Sequence, residues 1–172
     1  AYDDVMLGCI RQHGEGWLYR GERWLLRKLR SEGCQQSKVR CLCPHTFELW
    51  DADGTLVAGD LGYTIGRVYV SQTGFHKAGS KGCGEVQLLL MAALLLRAGS
   101  SWLDLGQARD YKAKLGAKSL DRASWLARFE AARDARPALE LWEAHKGETL
   151  NGVALLQELR QFQSLGRDHS NT

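Results

Sequence analysis

The apolar positions of the chain change their period twice. Tyr2, Val5, Met6, Cys9 and Ile10 recur at three- and four-residue intervals and predict a helix that Gly14 stops. Asp3 and Asp4 suit its first turn, at the positive end of the helix dipole. Trp24, Leu25, Leu26 and Leu29 predict a second helix with arginines on its other face. Residues 33–45 read as a polar, cysteine-containing loop. From residue 46 the period drops to two. Stretches 46–51, 55–63 and 67–72 read as strands, with a turn at Asp51-Ala-Asp-Gly54 and a link near Gly66. Three strands with short links predict an antiparallel meander. Residues 73–84 form a glycine-rich loop. Residues 85–97 are apolar on nearly every face, which predicts a helix buried against a sheet and stopped by Gly99. Residues 101–105 read as a fourth strand, set parallel to its predecessor by a right-handed crossover. A short helix at 108–114, a turn at 115–117 and a helix at 121–133 follow. In the tail, Pro137 opens one helix. Thr149 caps a last one, with Leu150, Val153, Leu155, Leu156, Leu159 and Phe162 as its stripe.

This order is α+β. It fits a GNAT-like acyltransferase layout: an antiparallel meander, then a parallel strand that splays from its neighbour and leaves a cleft, flanked by helices. Residues 1–135 are expected to form this domain, and 136–172 a helical extension packed on it or trailing from it.

Composition narrows the class. The chain has 172 residues, of which 44% are apolar and 25% charged, with two prolines. That suits one globular domain with a sizeable core. The longest apolar run, from Leu88 to Leu96, has nine residues, half of the roughly 18 a membrane-crossing helix needs. A cytoplasmic protein without membrane contact is expected. The five cysteines are Cys9, Cys34, Cys41, Cys43 and Cys83. With His45, three of them fall in a C-x6-C-x-C-x-H pattern that lacks the paired spacing of a structural zinc site. Free thiols and no metal or other cofactor are expected.

Net charge is +3, unevenly spread. Residues 11–40 carry eight basic and three acidic side chains, while the rest of the chain is at −2. A local basic excess is the footprint of a phosphate-bearing partner, or else a solvated helix face.

Particular strings carry more. His45-Thr-Phe-Glu-Leu-Trp50 is followed by Gly54-Thr-Leu-Val-Ala-Gly59, by Gly62-Tyr-Thr-Ile-Gly-Arg-Val-Tyr-Val70 and by Phe75. Leu103-Asp104 and Leu115-Gly-Ala117 come later, with Arg122 behind them. In order and spacing these resemble the leucyl/phenylalanyl-tRNA–protein transferase family, from about residue 2 to 129. That family shows an H-S-I/V-E-V/L-W strand, an E-L-V-G-G-x-Y-G-V-x-x-G turn and strand, a G-E-S-M-F segment, an L-I-D-C-Q strand and an A-S-L-G-A turn. The resemblance implies transfer of leucine or phenylalanine from aminoacyl-tRNA to the N-terminal α-amine of a protein, usually one beginning with Arg or Lys, which marks it for degradation. The family's N-terminal domain has no counterpart in the chain, and a separate domain standing in for it is an implied partner.

The resemblance also implies residue roles. Asp104 matches the aspartate of L-I-D-C-Q and would orient the amine. The glutamine two residues later is Gly106 here, with Gln107 one place late as its substitute. The glutamate of G-E-S-M-F is Gln72, and its methionine is Gly74. Tyr69 and Met91 match pocket positions for the donated side chain, with Phe75 beside them, and Asp60 stands where the family has an apolar pocket residue. These departures make the pocket more polar and wider. Trp17 matches a tryptophan that meets the terminal adenosine of tRNA. Arg20, Arg23, Arg27 and Lys28 follow it and would hold acceptor-stem phosphates. Two other readings fit the sequence. Gly79-Ser-Lys-Gly-Cys-Gly84 before a helix resembles a loop for the pyrophosphate of acetyl-CoA, and a tRNA- or peptide-binding module without chemistry would keep the same scaffold.

Overall fold

The computed structural model describes residues 1–32, 41–100, 102–135 and 147–168, with side chains described through residue 161. In chain order its elements are α1 (Tyr2–His13), α2 (Arg20–Glu32), β1 (Leu42–Trp50), β2 (Leu56–Ile65), β3 (Val68–His76), α3 (Cys83–Arg97), β4 (Trp102–Asp104), α4 (Asp110–Lys114), α5 (Arg122–Asp134) and α6 (Gly152–Asp168). The four strands make one sheet in the order β1-β2-β3-β4. β1, β2 and β3 are antiparallel neighbours, and β4 lies parallel to β3. The meander and the parallel fourth strand are therefore as expected, and the architecture is α+β, consistent with an acyltransferase-like fold.

Two helical layers cover the sheet. On one face Val5, Met6 and Cys9 of α1 pack with Leu18, with Leu26 of α2 and with Leu61 of β2. On the other face Met91 and Leu95 of α3 pack with Phe47 and Tyr69. α6 lies outside α3. The Arg97 guanidinium is ion-paired and hydrogen-bonded to the Glu158 carboxylate, and a side chain at Gly152 would meet Leu90. The apolar character of α3 all round thus has two causes, a sheet on one side and a helix on the other.

Several boundaries move from the pattern's expectation. β1 begins at Leu42, inside the presumed loop, because Cys43, Pro44 and His45 continue the ladder against Thr64, Tyr63 and Gly62. Proline is tolerated there because β1 is an edge strand. β3 runs on to His76 through the presumed glycine-rich segment, paired with β2 as far as Ala58. In α2 the apolar run does not face inward as a unit: Leu26 is buried, while Trp24 is 62% exposed. The last helix is capped by Asn151, whose side chain accepts from the backbone N–H groups of Val153 and Ala154, rather than by Thr149. The helix expected at Pro137 falls outside the described residues. Cys43 is disulfide-bonded, against the expectation of free thiols, whereas Cys9 and Cys83 are free. Among the described residues no group of three His, Cys, Asp or Glu side chains is placed to hold a metal, and no helix is long and apolar enough to cross a membrane.

The turn between β2 and β3 depends on Gly66. Its φ is +58°, and a Cβ there would lie 2.2 Å from the carbonyl oxygen of Ala132 in α5. Arg67 N–H donates to that same oxygen at 2.8 Å, so the turn and the end of α5 are locked together. Gly66→Ala is expected to cost roughly 2 kcal/mol or more of stability through left-handed strain and backbone overlap. Urea unfolding of the two proteins checks this; equal midpoints would contradict it.

Candidate functional site

β3 has nine residues, but β4 pairs only with Val68, Tyr69 and Val70. β4 ends at Asp104, and Gly106 turns the chain with a φ of +68°. Among the described residues, no strand therefore matches the outer edge of β3 beyond Val70. Part of that edge is closed by the end of α1: His13 Nε2 lies 2.8 Å from the carbonyl oxygen of Gly74, and His76 N–H donates to Gln12 Oε1 at 2.9 Å. The opening is thus a stretch of β3 edge without a strand partner, residues 71–73, on the side of the loop after β4. A Cβ at Gly106 would have the Ser71 carbonyl oxygen as its near neighbour, at 3.9 Å.

A bulge decides which side chains share each side of the opening. Leu61 pairs with Thr73 and Gly62 with Ser71, so Gln72 is an extra residue in β3. Regular alternation would put Tyr69, Ser71, Thr73 and Phe75 on one face. The extra residue instead leaves Tyr69 and Ser71 on the α3 face and turns Thr73 and Phe75 to the α1 face. The expected pocket residues are consequently divided by the sheet. Phe75 packs against α1, close enough that a Cβ at Gly8 would overlap its ring at 2.6 Å. Tyr69 and Met91 are buried in the α3-side core, and Phe47 meets the Tyr69 ring edge-on with centroids 5.1 Å apart.

Asp60 belongs to the α3 side and is 2% exposed. Its Oδ1 accepts from the Tyr69 hydroxyl at 2.7 Å and its Oδ2 from the Ser71 hydroxyl at 2.6 Å. Burial raises its carboxyl to about 7, although both hydrogen bonds favour the charged form. The Tyr69 hydroxyl is raised well above its ordinary value by burial and by the neighbouring Asp60 charge. Lys112 of α4 holds the far rim by donating to the carbonyl oxygens of Leu105 and Gln107. Burial lowers its ammonium, and the Asp60 charge opposes that shift.

On the other side, Trp17 is 51% exposed, donates from Nε1 to Thr73 Oγ1 at 3.0 Å and has the His13 ring 5.6 Å away. Gln72 donates to Glu22 Oε1 at 2.8 Å. Asp104, half-buried at the end of β4, accepts from Trp125 Nε1 at 2.9 Å and from Gly106 N–H at 2.8 Å. It therefore anchors the loop to α5. Gln107 is exposed, and its side-chain oxygen accepts from Arg109, whereas the partners of Asp104 are Trp125 and Gly106.

Arg20, Arg27 and Lys28 lie exposed on α2, and Arg23 is half-buried. Arg27 is paired with Asp3 at 2.9 Å and Lys28 with Glu32 at 3.8 Å. Lys28 also sits 5.1 Å over the exposed Trp24 ring. The loop before α3 uses its own amides locally: Ser80 N–H bonds Lys77 O, Lys81 N–H bonds Gly79 O and Cys83 N–H bonds Ser80 O. Those donors close turns instead of pointing together at a phosphate. Ser71, Thr73, Lys112, Glu22 and Trp125 escape a reading of the sequence, because a bulge or a tertiary contact brings each to its partner and no local pattern marks it.

The family model described as leucyl/phenylalanyl-tRNA protein transferase matches residues 1–130. The chain belongs to that family. A relative named leucyl/phenylalanyl-tRNA–protein transferase from Salmonella newport is 27% identical over 143 residues, covering 83% of this chain and 56% of the relative. One of the same name from Leptothrix cholodnii is 28% identical over 142 residues, covering 83% of the chain and 52% of the relative. One from Bordetella petrii reaches 32% over 88 residues, covering 51% and 34%. The chain thus spans little more than half the length of the first two. The matched region contains all four strands of the sheet and α5 up to Glu130.

The raised Asp60 carboxyl fixes the sign of a stability effect. Its pKa is about 7 in the folded chain against 3.8 for an ordinary aspartate. Between those values the folded state keeps a proton that the unfolded state has lost, so this group makes stability fall as pH rises from about 4 to about 7, and contributes no slope above that. In Asp60→Asn the contribution vanishes. Melting temperatures of the two proteins at pH 5 and pH 8 are expected to show the variant gaining on wild type at the higher pH. A pH-independent difference would contradict the assignment.

Proposed function

We propose that the chain carries the catalytic domain of an aminoacyl-tRNA–protein transferase. It moves an apolar amino acid of the leucine or phenylalanine kind to the N-terminal α-amine of a protein or peptide, one beginning with Arg or Lys. The reading rests on one coincidence: the region matching the family contains a parallel strand pair that ends at Asp104 while β3 runs on alone. The chemistry asks for little. An aminoacyl ester is already activated, and an α-amine has an ordinary pKa of about 7.7–8.0. Holding the two substrates in register and removing one proton completes the transfer.

In this reading the ester end of the tRNA enters the opening at residues 71–73. The terminal base stacks on the exposed Trp17, a contact worth about 1–3 kcal/mol. Asp104 positions the loop from residue 105 to 107 against the incoming amine, and Gln72 and Gln107 face the two approaches. Phosphates of the acceptor stem lie along α2, where Arg20, Arg23, Arg27 and Lys28 supply charge. The product is an N-terminally extended protein destined for degradation. A cytoplasmic setting and a separate domain completing the tRNA site belong to the same proposal.

Asp104→Ala removes the acceptor for Trp125 and Gly106. It is expected to lower labelled leucine transfer to an Arg-initiated peptide by about 100-fold, with tRNA binding kept. Unchanged turnover would reject the role. Arg20→Glu with Lys28→Glu is expected to weaken binding of leucyl-tRNA and to flatten its salt dependence by about two units of slope. Unaltered affinity at low salt would remove α2 from the interface.

A further inference from the structure

The buried carboxylate of Asp60 has no part in the transfer as described so far. It lies on a central strand, nearly sealed from solvent, and one of its two hydrogen-bond partners reaches the opening. Tyr69, on its Oδ1, is fully buried, whereas Ser71, on its Oδ2, is only half-buried. Ser71 is the residue just past the last β3–β4 pair, where β4 has ended. The bulge at Gln72 sets this geometry: it turns the next side chain, Thr73, to the opposite face while Ser71 stays on the side of Asp60. Opposite Asp60 in the ladder stands Gly74, and a Cβ there would come within 3.3 Å of Oδ2. The missing side chain at Gly74 leaves room beside Asp60 Oδ2, and Gly106 brings the loop after β4 to the Ser71 backbone carbonyl.

We infer that Ser71 and Asp60 form a proton relay that takes the proton from the attacking α-amine. This rests on the transferase reading above and deepens it. The amine nitrogen forms a bond to the ester carbonyl carbon, and the bond from that carbon to the ribose oxygen breaks. As the nitrogen loses a proton to Ser71 Oγ, the Ser71 hydroxyl proton moves to Asp60 Oδ2. The departing ribose oxygen takes a proton from water, and the Asp60 carboxylic acid returns one to solvent through Ser71. The proton lost by nitrogen equals the one gained by oxygen, and no redox partner is needed.

The charged and titratable groups around Asp60 agree with this role. From β3 come Tyr69 and Ser71, from α1 Cys9, and from α4 Lys112 and Tyr111. Cys9 is pushed up to about 12 by burial and stays a neutral thiol. Tyr69 and Tyr111 are also raised by burial, so both stay neutral. Lys112 is the cation of the group, and it is tied to two backbone carbonyls on the rim. A carboxyl lifted toward 7 is matched in basicity to an amine near 8, which is where proton transfer is efficient.

The test is leucine transfer from leucyl-tRNA to an Arg-initiated peptide between pH 5.5 and 9, using wild type, Asp60→Asn, Ser71→Ala and Ser71→Thr, with melting curves for each. Wild type is expected to show kcat rising to a plateau with an inflection near 7. Asp60→Asn is expected to lose that inflection and about 100-fold or more in kcat, with KM for leucyl-tRNA unchanged. Ser71→Ala is expected to lose kcat likewise, and Ser71→Thr to recover it by keeping the hydroxyl. Should Asp60→Asn fail to fold, the Ser71 pair decides. An active wild type whose rate and profile survive Ser71→Ala overturns the relay and leaves the transferase reading standing. A wild type that binds leucyl-tRNA and the peptide yet transfers nothing overturns that reading, and the relay with it.

Discussion

The structure depends on a mismatch between two parallel strands. β3 continues for six residues after its last pair with β4. A sheet that loses a partner in mid-strand leaves backbone donors and acceptors that must be met by something else or left to a ligand. Here the end of α1 answers for Gly74 and His76 through His13 and Gln12, and among the described residues no strand pairs with the outer edge at residues 71–73. Everything proposed for the chain follows from what is arranged around that gap.

The bulge at Gln72 is the second constraint. It makes the gap two-sided: an aromatic side with Trp17 and Thr73, and an acidic side with Asp60 and Ser71. In the proposed transferase, the base and sugar take the first side and the reacting amine and ester the second. Tyr69 and Met91 lie in the core behind the acidic side, packed with Phe47 and Leu95. Asp60, the polar departure the family resemblance singles out, is reached from the edge through Ser71.

Much of the fold was legible in the chain. The meander, the buried helix and the parallel fourth strand follow from period-two and all-apolar stretches bounded by glycines. The misreadings have local causes. Cys43-Pro-His45 looked like a loop because proline and polar residues can sit on an edge strand when its partner supplies the ladder. Trp24 and Leu25 looked like core because helical spacing cannot say which of two adjacent apolar stripes turns inward. The site was partly legible: Asp60, Trp17 and Asp104 are conspicuous as residue types in place, but Ser71 and Lys112 gain meaning only from the bulge and from a turn after β4. Asp104 and Trp125 are 21 residues apart, and no sequence pattern joins them.

Backbone hydrogen exchange of the full chain, with and without a leucyl-adenosine analogue carrying an amide in place of the ester, tests the gap most directly. The account predicts slowed exchange at Ser71, Gln72, Thr73 and Gly106, with the loop at residues 79–84 unchanged. Protection confined to that loop, or to neither segment, would contradict it.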